Sequence, residues 1–536
     1  MRRGPLAAAG GAVAAGAVVL AVAVWPGGDG RGDADRPPSD GKSAVSSAPS
    51  PSRSYPLSEA PRTIPAVREH TAARGPGWRP DQDKGRVVVR DDDLADEGRL
   101  LAGELKLRYG GDARPRAGDV ELALKTDGDG GNGADGAGDE SYTLSVKGNQ
   151  VRITAPAEAG VFYGTRTLKQ EVSGGRTAPE GVVRDRPAKP RRGFMLDIAR
   201  KHFDLKWIED RVRELGDLKY NQLGLHFSDD QAFRIASDSH PEIVSSDHLT
   251  KDQVRGLVKL ARSRHITVVP EIDSPGHLGA VIRQHPDLQL RDARGIAQRG
   301  AVDISRPRAA EIVDDLLEEY AELFPGAYWH LGADEYRALT VKNPEASYPQ
   351  LAAAARERYG PDGRVQDLAT GWLNDRADAV RPFDKKLTAW NDGFFRGGTT
   401  EAADDLEVAY WTGKEIGARE PVEYLKAGRK LLNYNDEYLY YVLGQPNTFR
   451  YPTGRRIYES WTPRVIRGSQ AVDGRYDDQI LGGTFAVWCD LAGAQSQDQV
   501  AQGIRMPLRA TVQKLWDARK PAMGWNDFVK LADTVR

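Results

Sequence analysis

From about residue 188 onward the chain repeats one unit: a short apolar strand, a polar or charged residue at its end, then an amphipathic helical stretch. Strands of this kind are expected at 193–198, 222–227, 266–272, 327–331, 386–390, 407–411, 430–434 and 484–488. Between the first two, Leu205, Ile208, Val212, Leu215 and Leu218 recur at helical spacing, the buried stripe of a crossover helix. Parallel strands need such crossovers, and eight of these units over about 350 residues predict a (β/α)8 TIM barrel. An open doubly wound sheet shares the alternation, but no Gly-rich phosphate loop follows the first strand.

At 536 residues the chain exceeds one ordinary domain. Residues 61–185 predict a smaller α/β accessory domain ahead of a barrel at 188–536: strand patterns at 86–90, 120–124, 142–146 and 151–154 surround helically spaced Leu94, Leu101 and Leu105. The Gly/Asp run at 127–139 is expected as a surface loop, since the ligand spacing and closing Glu of a calcium loop are missing. Residues 26–60, rich in Gly, Asp, Pro and Ser, form a linker. Residues 1–25 are expected to be an export signal or anchor: Arg2 and Arg3 precede an uncharged Ala/Val/Gly stretch, and Ala21-Val22-Ala23 offers a cleavage site. The expected destination is extracellular; a retained anchor is the competing reading, and membrane contact follows only in that case.

Lys+Arg is 75 and Asp+Glu is 77, a balance of −2 that argues against a bulk electrostatic grip on nucleic acid. The single cysteine, Cys489, permits no intrachain disulfide and no Cys-rich metal site. It alternates away from the strand end and is expected in the core.

Barrel enzymes build their sites at the C-terminal ends of the strands, and polar and aromatic residues gather there. The fourth strand ends in His330-Leu331-Gly332-Ala333-Asp334-Glu335. Adjacent carboxylates repel, which should raise at least one pKa and equip it as a general acid. Alone, such a pair is as readily a solvated loop or a helix cap. The second strand ends at Ser228-Asp229-Asp230-Gln231 and the third at Glu271-Ile272-Asp273-Ser274-Pro275-Gly276-His277, where the Pro-Gly turn aims Asp273 and His277 towards the mouth. Capping by Asp273 and ordinary packing of His277 are the plain alternatives. No H-x-H on the first strand and no HExxH helix is present, so no metal and no cofactor is assigned. Trp390, Trp411, Tyr434 and Trp488 end strands five to eight. One such ring is usually core, but four at equivalent positions suit stacking on a pyranose.

In this order, over roughly residues 140 to 520, the motifs resemble those of the family 20 glycoside hydrolases, whose best-known members are β-N-acetylhexosaminidases. The stretches Gly160-Val161-Phe162-Tyr163-Gly164-Thr165-Arg166-Thr167-Leu168, Arg192-Gly193 and Asp197-Ile198-Ala199-Arg200-Lys201-His202-Phe203 add to the likeness. The resemblance implies an exo-acting, retaining, substrate-assisted enzyme acting on an oligosaccharide or glycoconjugate. Glu335 would be the acid/base, and Asp334 would orient the 2-acetamido group that attacks the anomeric carbon through an oxazolinium ion. By the same likeness Asp229, Asp273 and His277 support these two, and Arg192 binds outer hydroxyls. Trp390, Trp411 and Trp488 would wall the sugar pocket, and Tyr434 and Asp436 would contact the acetamido group. The sequence departs from the common Trp-x-Glu on the eighth strand: Trp488-Cys489-Asp490 is similar to lacto-N-biosidases, which makes release of a disaccharide the runner-up. A non-catalytic carbohydrate-binding barrel would keep the aromatics but lose the Asp-Glu pair, which is present. A metal-dependent amidohydrolase is the remaining alternative, and a chelator tests it.

Overall fold

The computed structural model describes residues 54–125, 140–414 and 418–535. The expected export signal, the linker as far as residue 53 and the Gly/Asp run at 127–139 lie outside the described residues. Residues 54–60, expected in the linker, instead engage the folded body. Leu57 bridges Arg74, and the Ser58 hydroxyl donates to the Glu180 carbonyl.

Seven strands form the first sheet: β1 (Glu69–Ala72), β2 (Arg86–Val89), β3 (Arg108–Tyr109), β4 (Val120–Leu124), β5 (Tyr142–Lys147), β6 (Gln150–Ala155) and β7 (Gly181–Asp185), in the order β1-β7-β5-β6-β4-β2-β3. Helices α1 (Ala95–Leu105) and α2 (Glu158–Val172) pack on it. Helix α2 is buried on almost every side because the sheet covers one face and the barrel the other. Its Arg166 reaches Glu104 and, in the barrel, Asp217 at 2.7 and 2.9 Å.

The barrel strands are β8 (Arg191–Asp197), β9 (Gln222–His226) and β10 (Thr267–Glu271); then, after a hairpin of β11 (Gln289–Arg291) and β12 (Ala297–Val302), β13 (Tyr328–His330), β14 (Lys386–Trp390), β15 (Glu407–Tyr410), β16 (Leu431–Asn433), and finally β18 (Ile480–Trp488). Neighbours are parallel, and the β16–β18 and β18–β8 pairings close the ring. A further strand, β17 (Tyr440–Val442), had no counterpart among the expected strands. The first half of β18 pairs with β16, whereas its last residues pair with β17, from Tyr440 opposite Ala486 to Val442 opposite Trp488. The rim therefore gains a strand exactly where β16 has ended, and β17 delivers its side chains to the mouth.

Outside the ring run α3 (Leu205–Asp217), α4 (Lys251–Arg262), α5 (Gly279–Gln284) and α6 (Pro307–Leu323), among other helices. In α3 the buried Ile208, Val212 and Leu215 are the expected stripe, each burial contributing about 1.5–3 kcal/mol. Helix α4 begins with a capping box between Thr250 and Gln253. The helix Gln497–Trp516 ends inside the accessory core, where the Trp516 indole donates to Asp185 at 3.0 Å. Among the described residues no helix is long and apolar enough to cross a membrane.

Candidate active site

The turn after β13 is built on left-handed backbone: Gly332, Ala333 and Glu335 have φ of 67°, 81° and 49°. Glycine is required at 332, because a Cβ there would lie 2.0 Å from Asp273 Oδ1. The tight turn lets the Ala333 N–H donate to Asp273 Oδ1 at 2.7 Å and sends the next two carboxylates apart. Asp334 points inward, its side chain 17% exposed, and Glu335 stands at the rim, 47% exposed. After β10, His277 also takes positive φ, 54°, and its ring enters the space between the carboxylates. His277 Nδ1 lies 3.4 Å from Asp229; Nε2 lies 3.4 Å from Glu335 and 3.9 Å from both Asp273 and Asp334.

This ring decides which carboxyl keeps a proton. Burial alone would lower the His277 pKa, but Asp229 and Asp334 hold it well above the usual histidine range. The hydrogen bond from that cationic ring lowers Glu335, against the opposing push of burial. Asp334 moves the other way, well above the usual range, through burial and the negative charge of Asp273; Asp273 itself is pushed up to about 7, mainly by burial. The expectation that one member of the Asp-Glu pair is raised therefore falls on Asp334, and the cause is Asp273 and desolvation more than the adjacent Glu335. Asp334 Oδ1 is buried and has no hydrogen-bond partner. An unpartnered buried acceptor is costly, so it is the atom on which a ligand N–H gains most.

Behind His277 lies a second tier. Arg200 donates to Asp229 Oδ2 at 2.7 Å and to Asp197 Oδ2 at 3.0 Å, and Asp229 is held well below the ordinary range by His277 and Arg200 despite its burial. His226 bridges Asp229 and Glu271 at 2.7 and 2.6 Å. Burial opposes its charge, yet Glu271 and Asp229 raise it to about 10. The Trp390 indole donates to the other Glu271 oxygen at 2.6 Å. Asp392, just past β14, accepts the Glu335 N–H and the Trp411 indole N–H, both at 2.9 Å, and so fixes the acidic turn to an aromatic wall.

A cavity of about 230 Å³ opens here, lined by Arg200, His277, Asp334, Glu335, Asp490 and the aromatic wall. Trp411 and Tyr440 stack with centroids 5.8 Å apart and planes 6° apart, and Phe449 continues the stack at 6.4 Å. Trp488 closes the other side, its buried indole N–H without a partner. Trp390, expected as a pocket wall, is 1% exposed and packs against Trp488 at 5.9 Å without lining the cavity. Asp490 stands exposed at the rim, and Cys489 is buried, its N–H donating to Asp197.

Three more expected site residues lie elsewhere. Arg192 begins β8 at the end of the barrel away from the mouth, roughly 17 Å of strand short of Asp197. It is fully buried against the accessory domain, paired with Glu140 at 2.7 Å and hydrogen-bonded to Tyr163. The arginine in the cavity is Arg200, past the end of the same strand, and strand direction alone could have found it. Tyr434 turns into the barrel below Trp390, packing edge-on at 4.8 Å. Asp436 is held by Lys414 at 2.6 Å and does not line the cavity. Tyr440 of β17, and not Tyr434, lines the cavity. Asp392, His226 and Glu271 were also missed, although Glu271 stood in a quoted motif and Asp392 two residues after Trp390.

Residues 190–505 match the catalytic domain of glycosyl hydrolase family 20, and residues 60–186 match domain 2 of the same family. The chain is 32% identical over 464 residues to a beta-N-acetylhexosaminidase of Cellulomonas fimi, covering 80% of this chain and 83% of that protein. It is 29% identical over 481 residues to a lacto-N-biosidase of Bifidobacterium bifidum, covering 89% of this chain but only 41% of that protein's length. Among solved structures, a mutant Streptomyces plicatus beta-hexosaminidase in complex with the product GlcNAc superposes with a TM-score of 0.68 at 25% identity, covering 90% of this chain and 95% of that one.

Proposed function

The chain belongs to glycosyl hydrolase family 20, and on that premise we propose that it removes terminal N-acetylhexosamine from glycans, with retention and through an oxazolinium ion. The observation that carries this reading is the buried, unpartnered Asp334 Oδ1 beside a rim carboxylate, Glu335, in a cavity lined by aromatic rings. The 2-acetamido N–H donates to Asp334 Oδ1, which turns the acetamide oxygen towards the anomeric carbon and stabilises the positive charge that develops on the new ring. Glu335 hands a proton to the departing glycosidic oxygen. In the open site that proton resides on His277, 3.4 Å away; covering Glu335 with sugar removes water from it and moves the proton onto the carboxyl. Glu335 then takes a proton from the water that opens the oxazolinium ion. Arg200, from the tier behind His277, and Asp490, at the rim, bind hydroxyls of the terminal sugar.

A nitrophenyl β-N-acetylglucosaminide is the first substrate to try, and Glu335→Gln should remove most of its cleavage. Retention of full activity in Glu335→Gln overturns the assignment. The second reading, a lacto-N-biosidase, draws support from Asp490, whose shorter side chain leaves the rim open, and from the likeness to the Bifidobacterium protein. Release of intact disaccharide from the nitrophenyl lacto-N-biose substrate decides for it. Export of the chain is a further part of this reading, resting on Arg2, Arg3 and the apolar stretch after them; N-terminal sequencing of protein from the culture medium tests it.

A further inference from the structure

Away from the sugar cavity, two βα loops meet at a cluster that the proposed reaction does not use. His240 and Glu242 lie on the loop after β9, and His285 follows α5. Glu242 Oε1 is 3.2 Å from His240 Nδ1 and 3.0 Å from His285 Nε2, and the three ligand atoms all lie within 4.8 Å of one another. The other ring nitrogen of His240, Nε2, is 3.0 Å from Asp315 Oδ2 of α6.

We propose that His240, Glu242 and His285 form a binding site for a borderline divalent transition-metal ion, zinc in the first instance, which ties these two loops together. Zinc takes imidazole nitrogen and carboxylate oxygen at about 2.0–2.2 Å in a tetrahedron, whose edges are then about 3.3 Å. Two edges of the triangle already measure 3.2 and 3.0 Å. Asp315 Oδ2 contacts His240 at Nε2, while Nδ1 faces the same Glu242 oxygen that His285 Nε2 faces, so the three ligand atoms converge on one point. A carboxylate behind a ligating imidazole is the usual way such rings are oriented. His240 is buried, whereas Glu242 is 39% exposed, which supplies an entry path and room for water as the fourth ligand. Two nitrogens and one carboxylate select zinc, cobalt or nickel over magnesium or calcium, which want an all-oxygen shell.

The position gives the site a purpose. The loop that carries His240 begins with Asp229 and Asp230, and α5 follows directly on His277. Gly279 N–H already donates to Asp230 Oδ1 at 3.1 Å, and Arg283 donates to the Asp230 carbonyl at 2.6 Å. A metal at the far end of the same contact would hold together the two segments that support Glu335, stabilising them without touching substrate.

The test is calorimetric titration of untagged, EDTA-treated protein with Zn2+, alongside the visible absorption of added Co2+. Wild type is expected to bind one ion per chain with a tetrahedral Co2+ spectrum, and zinc should raise its unfolding midpoint. Asp315→Ala should weaken binding roughly 10–100-fold, and His285→Ala and Glu242→Gln by more. Variants are compared at matched unfolding midpoints in EDTA; Glu242→Gln, altering a partly exposed side chain, serves if His285→Ala fails to fold. Equal affinity and equal Co2+ spectra in wild type and Glu242→Gln, or binding of Mg2+ as tight as that of Zn2+, overturn the proposal.

Discussion

Asp334→Asn separates recognition of the acetamide from every other contribution of the acidic turn. The substitution keeps the size of a side chain 17% exposed and removes its charge. In the proposed reaction the acetamido N–H takes Asp334 Oδ1 and the proton held by the Asp273–Asp334 pair stays on Asp273, so that a negative charge on Asp334 faces the positive charge of the forming oxazolinium ring. At a separation of about 4 Å and an effective dielectric of about 20, the attraction is worth up to about 4 kcal/mol. Loss of one preorganised hydrogen-bonding group typically costs about 2.7–4 kcal/mol, or a factor of 10²–10³ in rate. The expected coupling is therefore about 3–4 kcal/mol, and it should be confined to substrates that carry the acetamido group. Four values of kcat/KM measure it: wild type and Asp334→Asn, each with a nitrophenyl N-acetylglucosaminide and with the corresponding glucoside. The amide variant should lose roughly 10²–10³-fold on the first substrate and change less than about threefold on the second. Folding is not the confounder, since burial and Asp273 already disfavour the Asp334 charge, so the variant should be at least as stable as wild type. An equal loss on both substrates would refute the assignment of Asp334 to the acetamide.

Arg192→Met should lower the unfolding midpoint, because it strands Glu140 at the domain interface (a cost of about 3–5 kcal/mol), while kcat/KM in the surviving native protein stays near wild type. Arg200→Met should lower kcat/KM by about 10² or more, and denaturation curves beside kinetics distinguish the two. The native Asp273–Asp334 pair holds a proton that the unfolded chain gives up: Asp273 stands at about 7 against an ordinary 3.8. Stability from this pair is thus present at acid pH and lost as pH rises towards about 7, by up to about 1.4 kcal/mol per unit; urea midpoints of Asp273→Asn should fall less steeply over that window than those of wild type. Asp490→Glu lengthens the rim carboxylate and should shift the ratio of monosaccharide to disaccharide release towards the monosaccharide, read from nitrophenyl substrates of both kinds.

Much of this protein is legible because the signals are local. The stripe Ile208, Val212, Leu215 depends only on residues three or four apart, and the apolar runs that became β8, β9 and β14 depend only on their neighbours. Strand β17 escaped because no crossover helix separates Tyr440–Val442 from β16, and it exists as a strand only through pairing with the end of β18. That omission hid Tyr440 as well, since the wall of the cavity comes from the rim strand. Arg192 was misplaced for a different reason: a matching motif says nothing about which end of the strand it occupies, and a strand residue cannot reach the opposite mouth.

By itself the sequence determined the barrel, its accessory domain and the order in which Asp229, Asp273, His277, Asp334 and Glu335 arrive at strand ends. Those follow from periodicity along the chain and from the rule that barrel sites form at one end. Only the tertiary structure decided that Tyr440 walls the cavity and that Asp334 is raised while Glu335 is lowered. Two carboxylates adjacent in sequence differ because His277 and Asp273, delivered by another strand, stand on different sides of them. Charge acts through space, and neighbours in space are what a linear sequence does not specify.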